Sequence, residues 1–165
     1  MNNIVLRILD KNELSLVRQV ADVVWPVTFR PILSEQQIVY MMQMMYAPEV
    51  MEREYDQGIK FYGLFAGEKP IGYFTWGHYA PETAKLHKCY LLTEYQGRGL
   101  GSLMLKEALK EARAAGYSRL RLNVNRNNTK AIRSYCCNGF KTVETVDNPI
   151  GNGFFMNDYI MEAEL

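Results

Sequence analysis

Apolar and polar residues follow two repeating patterns along the chain, and each pattern predicts a different element. Alternation with a period of two predicts strands, whereas apolar residues at three- and four-residue spacing predict helices. The predicted strands cover residues 4–9, 59–66, 70–78, 84–92, 119–124, 140–146 and 153–163. The predicted helices cover residues 12–24, 34–46, 48–55, 99–115 and 129–138.

Local signals set several of these boundaries. The first helix is expected to end before Trp25-Pro26, because proline cannot donate the helical hydrogen bond. Ser34 and Gln37 form a capping-box pattern where the second helix begins. The sequence Gly67-Glu68-Lys69-Pro70 predicts a turn between two strands, so the strands within 59–92 are expected to form an antiparallel meander.

Length and hydropathy indicate one mixed α/β domain covering residues 1–165. A chain of this length with 48% apolar residues can bury one good core, and no repeat or linker divides it. No stretch approaches the roughly 18 apolar residues of a membrane span, and the first residues lack a signal-peptide pattern. We therefore expect a soluble, cytoplasmic protein with no membrane partner.

Charge is distributed unevenly, although the net charge is only +1. Residues 112–143 contain no acid but seven bases, which suits either a polyanionic ligand or a solvated basic face. The modest total charge is not typical of a dedicated nucleic-acid binder, so no nucleic-acid partner is expected.

The cysteines predict neither a disulfide nor a metal site. Cys89 and the adjacent Cys136 and Cys137 make an odd count, without CxxC or Cys/His ligand spacing. We expect reduced cysteines that pack in the fold, and no bound metal.

A glycine-containing loop follows the strand that ends near Leu92. It reads Gln96-Gly97-Arg98-Gly99-Leu100-Gly101-Ser102 and leads into a predicted helix. Glycines let a ligand approach the backbone, and the free amides of a helix N-terminus bind phosphate groups. A nucleoside-triphosphate loop would end in Gly-Lys-Ser/Thr, and a dinucleotide-binding loop would need a third glycine, so both alternatives are weak.

A second motif, Asn128-x-x-Ala131-Ile132-x-x-Tyr135-x-x-x-Gly139-Phe140, follows the loop after about thirty residues. Together with Gln96-x-x-Gly99-x-Gly101, it resembles the GNAT superfamily of acyl-CoA-dependent N-acyltransferases. The resemblance implies a mixed, mostly antiparallel central sheet of six to seven strands flanked by helices. Residues 84–140 would form the acetyl-CoA-binding core, and the helices within residues 10–58 would frame the acceptor site.

The resemblance also implies which residues bind acetyl-CoA. Backbone groups of Leu91 and Leu92 would align the pantetheine arm, and the amides from Gly97 to Ser102, with Gly99 and Gly101 between them, would bind the pyrophosphate. Gln96 would secure the loop. Arg98 would add a charge contact or face solvent, and Asn128 would contact the cofactor arm, cap the helix at Thr129, or do both.

Tyr135 is the candidate general acid. It shares a helix face with Asn128 and Ala131, and a phenol stays protonated at neutral pH and can protonate a departing thiolate. The alternative is a tyrosine packed in the core. No residue is assigned as the general base; the candidates are His78, His87, Glu82 and Glu35.

These features predict an N-acetyltransferase that moves an acetyl group from acetyl-CoA to a primary amine of a small molecule or peptide, by direct attack in a ternary complex. A homodimer is possible. A covalent cysteine intermediate is disfavoured, because no activating partner of Cys89 is evident. The alternative from another class is a non-catalytic acyl-CoA-binding sensor or regulatory module.

The methionine-rich segment 40–46 is expected to pack in the core, with apolar ligand binding as its alternative.

Overall fold

A computed structural model describes residues 3–165 of the chain. Its strands are β1 (Ile4–Ile8), β2 (Lys60–Ala66), β3 (Lys69–Ala80), β4 (Thr83–Leu91), β5 (Arg119–Asn125), β6 (Lys141–Gly151) and β7 (Phe154–Glu164). Its helices are α1 (Ser15–Phe29), α2 (Glu35–Tyr46), α3 (Pro48–Asp56), α4 (Leu100–Ala114) and α5 (Thr129–Cys137), with short 3-10 turns at Lys11–Glu13 and Thr93–Tyr95.

Within the described residues the strands form one mixed sheet in the order β1-β2-β3-β4-β5-β7-β6. Neighbouring strands are antiparallel except for β4 and β5, which run parallel. The crossover from β4 to β5 passes through α4, as a parallel connection requires. The predicted fold, a mostly antiparallel sheet of six to seven strands flanked by helices, is confirmed.

Helix α1 does not end before Pro26, so that part of the prediction was wrong. The helix begins at Ser15 and continues through Pro26 to Phe29, and the amide of Arg30 donates to the carbonyl of Pro26 at 3.0 Å. Proline inside a helix costs about 3 kcal/mol. Trp25 and Phe29 are both nearly fully buried and offset this, since burying one such side chain contributes about 1.5–3 kcal/mol.

Helix α2 begins as predicted, but only half of the expected capping box forms. The hydroxyl of Ser34 accepts from the amide of Gln37 at 3.1 Å. The Gln37 side chain does not return to the cap; it donates to the carbonyl of Phe155 on β7 at 2.7 Å. This hydrogen bond holds α2 against the terminal hairpin.

The two faces of the sheet are covered by different helices. Tyr73 and Tyr90 pack against Trp25 of α1 and Tyr46 of α2 on one face. Met104 of α4 lies beside Gly72, whose neighbour Tyr73 points to the opposite face. The core is therefore two apolar layers separated by the sheet, with α1 and α2 on one side and α4 on the other.

The terminal hairpin is longer than predicted. β6 extends to Gly151 rather than to residue 146, and Asn152 and Gly153 form the turn with φ values of +56° and +78°. Asn-Gly between two apolar runs is a strong hairpin signal, because both residues tolerate a positive φ. The hairpin brings Ile150 next to α2, where the hydroxyl of Tyr40 donates to the carbonyl of Ile150 at 2.6 Å.

Gly151→Ala is predicted to destabilise the protein more than Gly153→Ala. Both glycines have a positive φ, which an alanine side chain disfavours by about 1 kcal/mol. A Cβ at Gly151 would also lie 2.5 Å from the Tyr40 hydroxyl, whereas a Cβ at Gly153 meets no atom within 4 Å. Denaturant unfolding should show an extra loss of about 1–2 kcal/mol for Gly151→Ala, reflecting the displaced hydrogen bond. Equal losses would contradict this account of the contact between α2 and the hairpin.

Candidate active site

Strands β4 and β5 pair only at their beginnings and then separate. Their parallel register covers Thr83–Leu86 and Arg119–Leu122. A register shift in the β3–β4 pairing leaves His87 as the extra residue, because Trp76 lies opposite Leu86 and Thr75 lies opposite Lys88. Such a bulge bends its strand. A cavity of about 920 Å³ opens where the two strands diverge.

One side of this cavity is formed by the glycine loop and α5. Most of the predicted site residues line it, and they are Leu91, Gln96, Gly97, Gly99, Gly101, Ser102, Asn128 and Tyr135. Residues far apart in the sequence therefore meet on one wall, as the two motifs indicated. Leu92 and Arg98 do not line the cavity. Leu92 is buried, and the Arg98 guanidinium lies over the Tyr95 ring at 5.4 Å.

The loop presents its backbone to the cavity with no side chain above it. Gly97 and Gly99 have φ values of +77° and +80°, and Gly99 is the N-cap of α4 without a capping side chain. A Cβ added at Gly97, Gly99 or Gly101 would meet no atom within 4 Å. The space above these glycines is thus open, and the first amides of α4 face a region that an anionic ligand group can fill.

Gln96 connects the loop to the end of β4. Its side-chain amide donates to the carbonyl of Leu91 at 2.9 Å, and its side-chain oxygen accepts from Lys130 of α5. Lys130 belongs to the basic run noted in the sequence and lines the same wall. The sequence alone did not select it, because its side chain reaches the loop only through the packing of α5.

The backbone hydrogen bonding changes where β4 ends, between Leu91 and Leu92. The amide of Leu92 donates to the carbonyl of Ile71 at 2.9 Å, and the carbonyl of Leu92 accepts from the amide of Tyr95 at 3.0 Å. Both backbone groups of Leu92 are therefore hydrogen-bonded within the protein. Amides in an antiparallel strand point alternately to opposite sides. The amides of Leu91 and Cys89 therefore point toward β5, into the gap between the separated strands.

Asn128 and Tyr135 of the second motif both line the cavity. Asn128 lines the cavity and also caps α5, where its side chain accepts from the amide of Ala131 at 3.4 Å. Tyr135 is partly buried, and its ring packs edge-on against Phe140 at 5.7 Å. Burial, with Cys89 and Tyr90 close by, raises the pKa of Tyr135 well above its usual value of 10, so its hydroxyl keeps its proton at neutral pH.

The cysteines are unsuited to a covalent route. Cys89 lines the cavity, but burial raises the pKa of its thiol to about 12, so the reactive thiolate is scarce at neutral pH. Cys136 and Cys137 are exposed on α5 rather than packed in the core as expected. Within residues 3–165, no group of three His, Cys, Asp or Glu residues is placed to hold a metal ion.

The other side of the cavity is formed by α1, α2, α3 and the terminal hairpin. Its apolar lining includes Val24, Val27, Met41, Met44, Met45, Val50, Ile150 and Met156. Core packing of the methionine segment is confirmed for Met41 and Met42, which are both buried. Met41 also lines the cavity, and apolar ligand binding by this segment stays a prediction.

Charged residues on this side were mostly missed by the sequence analysis. Lys88 is almost fully buried, and its ammonium lies 2.8 Å from Glu54 and 3.0 Å from the carbonyl of Met45. Lys85 and Asp158 also line the cavity. The available signal for Lys88 was the break in alternation at His87 and Lys88, two polar residues in succession within a strand. Of the base candidates, His87 lines the cavity, whereas His78, Glu82 and Glu35 lie outside it.

Comparison with known proteins gives consistent results. The family model described as Acetyltransferase (GNAT) family matches residues 26–140. A spermidine N(1)-acetyltransferase of Thermoplasma acidophilum is 31% identical to the chain over 98% of both sequences. The crystal structure of the PaiA N-acetyltransferase from the same organism, in complex with coenzyme A, covers 99% of both chains with a TM-score of 0.85 and 30% identity. A GCN5-related N-acetyltransferase structure from Rhodopseudomonas palustris shares the fold at 16% identity, with a TM-score of 0.81 and coverage of 100% of this chain and 98% of that one.

Stability is predicted to fall between about pH 6.5 and pH 4 because of His87. Burial, with the positive charges of Lys85 and Lys88, lowers the pKa of His87 to about 4, whereas the unfolded chain has a value near 6.5. The unfolded state therefore takes up the proton first as the pH falls, which costs the fold up to about 3 kcal/mol by pH 4.

His87→Gln should remove this pH-dependent loss of stability, because glutamine does not titrate. Denaturant unfolding of both proteins at pH 7 and pH 4 isolates the difference from other titrating groups. The wild type should lose about 3 kcal/mol more than the variant. Equal losses would show that His87 titrates alike in the folded and unfolded chains.

Proposed function

The chain belongs to the acetyltransferase (GNAT) family and moves acetyl groups from acetyl-CoA to amines, and we propose that the transfer takes place in the cavity where β4 and β5 separate. The observation that carries this proposal is the meeting of two features on one wall. The open glycine backbone at the start of α4 suits a pyrophosphate, and the unpaired edge of β4 suits an extended amide chain.

Three groups of residues would bind different parts of the cofactor. The amides from Gly97 to Ser102 would bind the pyrophosphate, with Lys130 adding positive charge beside them. The edge of β4 at Cys89 and Leu91 would pair with the amides of the pantetheine arm, as an added strand would. Asn128 would contact the same arm while capping α5. Leu92 and Arg98 would support the loop from outside the cavity, through the backbone and through Tyr95.

The transfer would proceed by direct attack in a ternary complex. The amine nitrogen forms a bond to the thioester carbonyl carbon, and the carbonyl oxygen takes negative charge that a backbone amide near Leu91 can stabilise. The carbon–sulfur bond then breaks. Tyr135 gives its proton to the departing thiolate, and the nitrogen releases a proton to water, from which the tyrosinate is protonated again. The hydroxyl is protonated at neutral pH, because burial raises the pKa of Tyr135 further above its usual value of 10.

The acceptor is proposed to be a primary amine of a small molecule or peptide. Polyamines are the first class to test, because the Thermoplasma relative that aligns over nearly the whole chain is named for spermidine. A cytoplasmic location and a homodimer stay predictions from the sequence. None of the helices in residues 3–165 is both long and apolar enough to cross a membrane.

Release of free thiol from acetyl-CoA, measured against polyamines, amino acids, aminoglycosides and short peptides, tests the proposal. The wild type should release thiol with at least one amine. Tyr135→Phe should lower kcat by about 100-fold or more, since a positioned general acid contributes 10²–10⁴-fold, while acetyl-CoA affinity stays nearly unchanged. Tyr79→Phe, an exposed tyrosine outside the cavity, is the matched control and should keep full activity.

Two outcomes would contradict this proposal. Tight acetyl-CoA binding without turnover on any amine would favour the sensor or regulatory module. Unchanged turnover in Tyr135→Phe would remove that hydroxyl from the mechanism.

Gly101→Ala is predicted to weaken acetyl-CoA binding without lowering the stability of the protein. Gly101 has a helical backbone in the first turn of α4, so alanine should leave stability equal or raise it by about 0.5–1 kcal/mol. The new methyl group would occupy the space proposed for the pyrophosphate, and calorimetry should show acetyl-CoA affinity lowered at least tenfold. Leu103→Ala, on an exposed position of the same helix, should leave affinity unchanged. Normal affinity in Gly101→Ala would place the pyrophosphate elsewhere.

A further inference from the structure

Asp158 is a buried carboxylate without a full set of partners. It is 5% exposed and lines the cavity on β7. One carboxylate oxygen accepts a long hydrogen bond of 3.4 Å from the side chain of Asn123, and the other has no partner among residues 3–165. A buried polar group left unpaired costs about 1–3 kcal/mol, so its presence beside a cavity points to a ligand.

The sheet places Asp158 at the level of the separation between β4 and β5. Asp158 lies opposite Asn125 on the neighbouring β5. The last parallel pair is Leu86 with Leu122, so continuing that register sets Asn123 and Asn125 at the level of His87 and Cys89. Asp158 therefore lies one strand beyond the gap, with β5 between it and the free edge of β4, at the level of Cys89.

No protein cation neutralises this carboxylate at close range. In the part of the chain that the structure describes, Asp158 forms no ion pair within 4 Å. Burial raises the pKa of Asp158, while Lys85 and Arg126 oppose this shift through space without contacting the carboxylate. Arg126 is engaged by Asp147 at 2.6 Å. Glu54, the other carboxylate on the described lining, is already paired with Lys88 at 2.8 Å. Of the two carboxylates on the described lining, Asp158 is therefore the one that can pair with the cationic group of a bound ligand.

His87 supplies a second unpartnered group on the same cavity. Its Nε2 atom is buried without a hydrogen-bond partner among the described residues. Its lowered pKa keeps the ring uncharged at neutral pH, so the ring does not repel a bound cation and can accept a hydrogen bond from it.

The surface next to Asp158 includes two methionines. Met156 shares the face of β7 with Asp158, two residues away. The sulfur atoms of Met156 and Met41 both lie 3.8 Å from the side-chain nitrogen of Gln37, so the two thioethers are neighbours. Methionines adapt to irregular apolar chains, which suits a run of methylene groups.

We propose that Asp158 binds the ammonium group of the acceptor, an amine carried on an unbranched apolar chain, with His87 as a second polar contact and the chain lying along Met41 and Met156. The bound ammonium gives one proton to water before its nitrogen attacks the thioester. This inference rests on the proposed acceptor side of the cavity. Asp158 thus acts as the residue that selects a cationic amine over an uncharged analogue.

Calorimetric binding of n-hexylamine to the protein saturated with CoA tests the proposal without requiring turnover. The wild type should bind the amine, and Asp158→Asn, which keeps the shape but removes the charge, should bind it at least tenfold more weakly. Glu164→Gln removes the same charge from an exposed position of β7 and should bind within twofold of the wild type. CoA affinity should be equal in all three, which also reports that each protein is folded.

A ligand-side comparison covers the case in which Asp158→Asn does not fold. Wild-type protein should bind 1-hexanol, which has the same chain without the charge, at least tenfold more weakly than n-hexylamine. The proposal is overturned if the wild type does not bind n-hexylamine, if Asp158→Asn binds it normally, or if the alcohol and the amine bind alike. Normal n-hexylamine binding with no thiol release on any amine would instead remove the proposed function and leave the ammonium site in place.

Discussion

The hydrogen bonds that β4 and β5 do not make are the constraint on which the site depends. Two neighbouring parallel strands would ordinarily pair along their full length, yet here the pairing stops after Leu86 and Leu122. Buried backbone amides are almost always satisfied, so the free edge of β4 either meets water or meets a ligand with amides of its own. The bulge at His87 turns the strand away from β5 and creates that edge.

The strand separation also gives the cavity two walls that are built differently. On one side, α4 begins at the end of β4, so its amides open toward the gap, and Gln96 joins loop, strand and α5. On the other side, Gln37 and Tyr40 hold α2 against the terminal hairpin, and methionines and Asp158 line this half of the cavity. The half proposed for the cofactor is built mainly from backbone groups, and the half proposed for the acceptor from side chains.

That difference determines how much the sequence could predict. Glycines at fixed spacing and the Asn128 to Phe140 motif indicated the wall proposed for the cofactor. A site built from backbone groups requires glycines at particular positions, and these can be recognised in the sequence. Asp158, Glu54 and Lys88 carry no such mark, since they come together only through sheet register and helix packing. The same reason accounts for α1, where proline chemistry predicted an end before Trp25, whereas the helix continues to Phe29 because Trp25 and Phe29 are buried in the core.

Amide hydrogen exchange measured by NMR, with and without saturating acetyl-CoA, tests the central claim most directly. The amide of Leu92 is bonded to Ile71 and should be protected in both states. The amides of Cys89 and Leu91 point into the gap and should exchange fast in the free protein and become protected when acetyl-CoA binds. Saturation with acetyl-CoA that leaves the exchange of Cys89 and Leu91 unchanged would contradict the account, because the free edge of β4 would then have no part in binding.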